Sequence, residues 1–212
     1  MATQLAIYNN ALTQHLGERK LDSLTEARKP RRVLDTIWDD GFVKGCLEDG
    51  FWNFATRTFS SEYNPSRDAD FGFQYAHDKP ADWVRTSAIS SNDYFDAPLS
   101  QYADEVDAWW TDFDVIYVRI ISDDADYGGD LSAWPESFTD YVETKLAAKA
   151  CMAITRSVTM TQALEKKAEK ALKIARNKDA MNDPARYPPV GSWLRARRGR
   201  IHWRPPTNIR TI

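Results

Sequence analysis

The spacing of apolar residues changes twice along these 212 residues, and that change limits the folds open to the chain. Near both ends, apolar residues recur every three or four positions, the period of a helix with one buried face. Leu5, Tyr8, Leu12 and Leu16 do so over 3–16, and Gly17 is placed to cap the end. After a polar turn, Ser23 and Glu26 are spaced as a capping box. Pro30 suits the first turn of a longer helix, with the stripe Val33, Leu34, Ile37, Trp38, Phe42, Val43, Cys46 and Leu47. The turn Asp49-Gly50 leads into an aromatic cluster, Phe51 to Ala55, expected to seal a helical core.

Between 60 and 134 the pattern becomes that of strands. Phe71-Gly72-Phe73-Gln74-Tyr75 alternates, Trp83 to Ile89 is β-prone, and Val115 to Ile121 is rich in β-branched residues. Helical spacing returns after Pro135. Phe138, Tyr141, Val142, Leu146, Ala150 and Ile154 share one face. A second helix, from about Thr159 to Met181, carries Leu164, Ala168, Ala171, Leu172 and Ala175. Its other side alternates Lys and Glu, a pattern suited to i,i+4 pairs. The expected fold class is α+β. A helical bundle body spans 1–58 and 135–182, an acidic insertion with a small antiparallel β-sheet spans 59–134, and an extended C-terminal arm spans 183–212.

Charge follows the same division. Residues 60–134 carry 16 Asp/Glu against 4 Lys/Arg, whereas 184–212 carry seven Arg and no acid. Opposite charge in separate segments favours contact between them, within a chain or between copies. The arm holds five of the ten prolines, so it cannot be one helix. Its Trp193, Arg195, Arg197, Arg198, Arg200 and Trp203 form a partner-docking set, because Arg and Trp are favoured interface anchors. The same residues could instead hold nucleic acid by phosphate neutralisation and base stacking. No stretch approaches the roughly 20 apolar residues needed to span a bilayer, the N-terminus lacks signal-peptide features, and a cytoplasmic site of synthesis is expected.

Signs of catalysis are weak. His15, His77 and His202 lie in three separate regions, none in a recognisable catalytic motif. Cys46 and Cys151 sit in helix-like apolar patterns and read as reduced core thiols. Asp104-Glu105-Val106-Asp107 and Asp123-Asp124-Ala125-Asp126 could in principle serve glycoside chemistry or bind Ca²⁺. The second lacks the calcium-loop pattern, since its twelfth position falls at Trp134. Asp123, Asp124 and Asp126 read as solvated or interface-facing acids. No phosphate-binding glycine loop is present in the sequence. The expectation is no catalytic residue, no metal and no cofactor, hence not an enzyme.

Several phrases, in order, carry a resemblance. They are Ile7-Tyr8-Asn9-Asn10-Ala11-Leu12, Leu16-Gly17-Glu18, Ser23-Leu24-Thr25-Glu26, Arg32-Val33-Leu34-Asp35, Trp38-Asp39-Asp40 and Cys46 to Ala55. Phe71-Gly72-Phe73, Pro80 to Arg85, Tyr117-Val118-Arg119, Ser132 to Phe138 and Ala175 to Met181 follow. Together they resemble the tail tubular protein A–like family of bacteriophage head-to-tail adaptor (connector) proteins, over roughly residues 4–182. The resemblance implies a structural virion protein. Such a protein forms a homo-oligomer ring, typically of twelve copies, assembled in the host cytoplasm. Its partners would be the portal protein on one side and a downstream tail protein (terminator, nozzle or tube) on the other. Viral DNA would pass through the channel without sequence-specific binding. The alternative is a DNA-binding packaging or regulatory factor.

Overall fold

The computed structural model describes residues 2–67, 72–96 and 98–182. Helix α1 (Gln4–Asn10) starts where the Thr3 hydroxyl accepts the Ala6 N–H at 3.2 Å, which satisfies one of the N–H groups a helix start leaves free. It continues through the wider π turns of Ala11–Leu16 and stops at Gly17, in left-handed backbone. Helix α2 (Lys29–Ile37), the turns Trp38–Phe42 and helix α3 (Val43–Leu47) form one bent rod. The bend lies at Gly41, where φ is 76°, a backbone that residues with a Cβ resist. Leu34 before the bend and Phe42, Cys46 and Leu47 after it are all buried.

The capping box expected at Ser23 and Glu26 is not formed, and the helix begins at Lys29. The Ser23 hydroxyl accepts the nearby Thr25 N–H at 3.3 Å, and the Glu26 carboxylate turns back to the Asp22 N–H at 2.9 Å. Arginines then hold the segment as a loop. Arg28 donates to the Arg19 and Lys20 carbonyls, and Arg31 to those of Leu24 and Glu26.

Helix α4 (Glu136–Thr155) is the centre of the body. Phe138, Tyr141, Val142, Leu146 and Ala150 are buried as the periodicity predicts, and Ala147, Ala148 and Cys151 are buried too. The chain reverses at Arg156 (φ 58°), and the Ser157 hydroxyl caps helix α5 (Val158–Met181). Leu164, Ala168 and Ala175 of α5 are buried on α4, with Ala171 and Leu172 at the margin. The Lys/Glu side of α5 is exposed, but no ion pair within 4.0 Å joins two of its residues among those described.

The insertion forms two sheets rather than one. Strands β1 (Thr56–Glu62), β6 (Val115–Ser122) and β3 (Trp83–Ser90) form one, in the order β1-β6-β3. Strands β2 (Tyr75–Asp78), β5 (Ala108–Thr111) and β4 (Ala103–Asp104) form the other, in the order β2-β5-β4. All pairings are antiparallel, with Thr56 opposite Ile121, Ser90 opposite Tyr117 and Tyr75 opposite Thr111. The sheets meet through Trp109. Its ring is 6.5 Å from that of Phe59, and its indole N–H donates to the Thr86 hydroxyl at 2.9 Å. Ile89, Ile116, Val118 and Ile120 complete this second core, while Ile121 and Val84 join the body core. The strand read at 71–75 lies later, at Tyr75–Asp78, and Phe71 is outside the described residues.

Near the joint between body and insertion the packing is tight. A Cβ on Gly128 would stand 2.4 Å from the Ser122 carbonyl oxygen and 2.8 Å from Leu47. The Gly128 carbonyl accepts the Trp134 indole N–H at 2.8 Å. Among the described residues, no helix is long and apolar enough to cross a membrane. The class is thus α+β: helices with small antiparallel sheets inserted between them.

Candidate functional site

The acidic loop after β6 is built around Asp82. Its carboxylate accepts from the Ser122 hydroxyl at 2.5 Å and from the Arg57 guanidinium at 2.7 Å. Partial burial would raise this carboxyl, but the Ser122 and Arg57 hydrogen bonds outweigh that and hold it below the ordinary aspartate range. The Asp123 N–H donates to the Asp82 carbonyl at 3.1 Å, and the Asp124 N–H to the Ser122 hydroxyl at 3.1 Å. Within this frame the Asp124 carboxylate accepts the Asp126 N–H at 3.0 Å, and Asp123 lies 3.9 Å from Lys44. Asp124 and Asp126 are exposed, and Asp123 is half-buried. Among the described residues, no three of His, Cys, Asp and Glu group closely enough to hold a metal ion.

Asp49, at the turn after α3, joins the two halves of the body. Its carboxylate accepts from the Tyr141 hydroxyl and, at 2.5 Å, from Lys145 of α4. Its carbonyl accepts from Arg176 of α5. Nearby, the Asp179 carboxylate accepts the Asn53 N–H at 3.0 Å, and the Asn53 amide returns a bond to the Asp179 carbonyl at 3.0 Å. Two clefts flank Asp49. One, of about 370 Å³, lies along α4 and α5, lined by Lys145, Lys149, Glu165 and Glu169 among others. The other, of about 410 Å³, is lined by Asp49, Phe51, Trp52, Arg85, Arg176 and Asp179 among others.

The second cleft combines an exposed aromatic ring with two cations. Phe51 is 52% exposed although its neighbour Trp52 is buried, because consecutive residues of the extended turn face opposite ways. The Arg85 guanidinium stacks 4.1 Å from the Phe51 ring centre and donates to the Glu48 carbonyl at 3.1 Å. Neither Arg85 nor Arg176 is within 4.0 Å of a carboxylate oxygen among the described residues. The cleft thus presents an aromatic face beside two guanidinium groups. The acids at its wall are already engaged, Asp49 by Tyr141 and Lys145, and Asp179 by Asn53.

The histidines stand apart. His15 lies at the α1 end near Thr144 and Lys167, and both burial and the Lys167 charge lower its pKa. His77 is buried between strands, with Nε2 2.9 Å from the Phe113 carbonyl oxygen. Cys46 and Cys151 are buried free thiols, as read from the sequence, and burial pushes the Cys46 thiol up to about 12. Trp193, Arg195, Arg197, Arg198, Arg200, Trp203 and His202 lie outside the described residues.

Sequence reading passed over Phe51, Arg85 and Arg176 as a group, because they come from a turn, a strand edge and a helix that only the tertiary fold brings together. The only local signal was an aromatic beside the buried Trp52 in the 51–55 cluster. No family model and no curated protein matches this chain.

Proposed function

We propose that this chain is a structural subunit of a bacteriophage particle, a head-to-tail adaptor. Copies of it form a ring between the portal and the next tail protein, and DNA passes through that ring. The observation that carries the reading is where the resemblance falls. Tyr8, Leu12, Leu34, Cys46, Leu47, Trp52, Trp134 and Phe138 all come from the phrases that carry the resemblance, and all are buried in one body core. The buried residues of those phrases help set the shape of the body. That supports likeness of architecture, as expected for a protein whose role is to occupy a place in an assembly.

Two further features fit this role. The acidic loop with Asp123, Asp124 and Asp126 presents carboxylates that offer DNA no counterion-release gain, which suits a surface past which DNA slides. The basic arm, from 183 onward, carries Trp and Arg suited to docking on an acidic neighbour. In this reading Trp193 and Trp203 enter pockets of an adjacent subunit or of the portal, and arginine–acid pairs fix the register.

The test is to locate the protein in purified particles with gold-labelled antibody, and to delete residues 184–212. Label at the head–tail junction, with loss of tailed DNA-filled particles on deletion, is expected. Absence of the protein from mature particles would overturn the reading. So would tight, salt-steep binding of duplex DNA by the isolated monomer, which would favour a packaging or regulatory factor instead.

A further inference from the structure

The Phe51–Arg85–Arg176 cleft has a matching feature at the far end of the same sheet. The loop after β3 carries Asp93-Tyr94-Phe95-Asp96, and Tyr94 is 81% exposed. It is held outward rather than left loose. Phe95 adopts φ 55°, left-handed backbone that aromatic residues avoid. Its ring lies 4.5 Å under the Arg119 guanidinium. Asn92 braces the loop by donating its N–H to the Ser90 hydroxyl at 3.2 Å and its amide to Asp96. The exposed Asp93 beside Tyr94 takes part in no ion pair within 4.0 Å among the described residues.

We propose that the Tyr94 tip of one copy docks in the Phe51–Arg85–Arg176 cleft of the next, joining identical subunits head to tail. The proposal deepens the adaptor reading and rests on its claim that copies of the chain associate. Tip and cleft match in kind: an aromatic knob beside an acid with no ion pair among the described residues meets an aromatic-walled hole whose Arg85 and Arg176 bond only backbone carbonyls among the described residues, while its acids Asp49 and Asp179 are held by Lys145, Tyr141 and Asn53. A cleft of about 410 Å³ is within the range that holds whole drug-sized ligands, so a phenol ring fits.

A subunit cannot fill its own cleft this way. Arg85 lies toward the body end of β3, whose Trp83 faces Ser122, while the tip follows Ser90 at the other end. Arg85 and Ser90 are five positions apart along the strand, roughly 17 Å at about 3.3 Å per residue. Knob and hole on different faces make a heterologous contact, the kind that builds rings. Val106, another exposed apolar tip, is a poorer candidate because Asp104 and Asp107 near it already pair with Lys79 and Arg67.

Charge reversal at each side separates this contact from others. Asp93→Arg and Arg176→Asp, made singly in the full chain, should each weaken self-association in the analytical ultracentrifuge. Mixing the two variants should restore it, because each reversed tip then meets a complementary cleft. One chain carrying both changes should also associate, which shows that neither change damages the fold. Tyr94→Ala should weaken association roughly 30-fold, the scale of losing an aromatic anchor. A photoreactive phenylalanine at 94 should cross-link between copies to residues 49–52 or 176–180. If wild type assembles and the variants assemble equally well, or cross-links fall elsewhere, the docking is refuted while the ring reading stands. A wild-type chain that stays monomeric at its highest soluble concentration overturns both.

Discussion

Replacing Phe138 by Ala should unfold the body more than any surface change. Phe138 is 1% exposed and touches four aromatic rings. Their centroids lie at 4.7 Å (Trp52), 4.9 Å (Phe54), 4.9 Å (Trp134) and 6.1 Å (Tyr141). Returning a buried Phe to water costs about 2 kcal/mol, and the unfilled cavity brings the usual Phe→Ala loss to about 3–5 kcal/mol. Each well-oriented ring pair adds about 0.5–1.5 kcal/mol beyond area burial, which places this site at the upper end. The expected loss is about 4–5 kcal/mol, a large share of the ordinary 5–15 kcal/mol stability of a domain. For a chain of this size it should lower Tm by roughly 8–20 °C. Urea unfolding followed by near-UV circular dichroism and by Trp fluorescence should show both probes shifting together. A loss below about 1.5 kcal/mol would refute the claim that this ring cluster is the keystone between the 51–55 turn and α4.

Further outcomes test other parts of the account. Gly41→Ala should cost about 1–2 kcal/mol through its left-handed backbone, even though nothing stands within 4 Å of the added carbon. Gly128→Ala should cost more, because the added carbon meets the Ser122 carbonyl; thermal melts that rank the two in the reverse order would contradict the packing described at the joint. The Asp82 carboxyl is held low in the folded chain, so its contribution is present above the unfolded aspartate value near 3.9 and lost as pH falls through the lower folded value. Asp82→Asn should therefore flatten the acid side of the stability–pH curve. Glu143 behaves oppositely. Its buried carboxyl is raised despite the Asn10 hydrogen bond. Its favourable contribution is thus present at low pH and lost as pH rises, and Glu143→Gln should raise the urea midpoint at pH 7 but not near pH 4. On the proposed adaptor reading, charge reversal of Asp123, Asp124 and Asp126 to Lys should slow DNA ejection from particles, and unchanged kinetics would refute a channel-facing place for these acids.

Much of the body was legible because its information is local. The i,i+3/i+4 rows around Tyr8, Phe138 and Leu164 specify helices wherever they pack, and Val115 to Ile121 is a strand by composition alone. Strand pairing is a long-range property and was not legible. Thr56–Glu62 is an edge strand with one half-exposed face, so it lacks the apolar run that marks β6. Likewise, the separation into two sheets depends on Trp109 reaching Phe59 and Thr86, contacts no sequence window contains. The Ser23–Glu26 spacing misled because the arginines at 28 and 31 capture the loop carbonyls that a helix there would have used. The acids at 123–126 were found as a group, but their support by Asp82, 40 residues from Ser122, was not.

On the proposed reading, this polypeptide holds copies of itself and neighbouring virion components in register. Electron microscopy of the purified full chain tests it most directly. Closed rings of uniform copy number around an open channel are expected. A population of monomers, or of open filaments that never close, would contradict it.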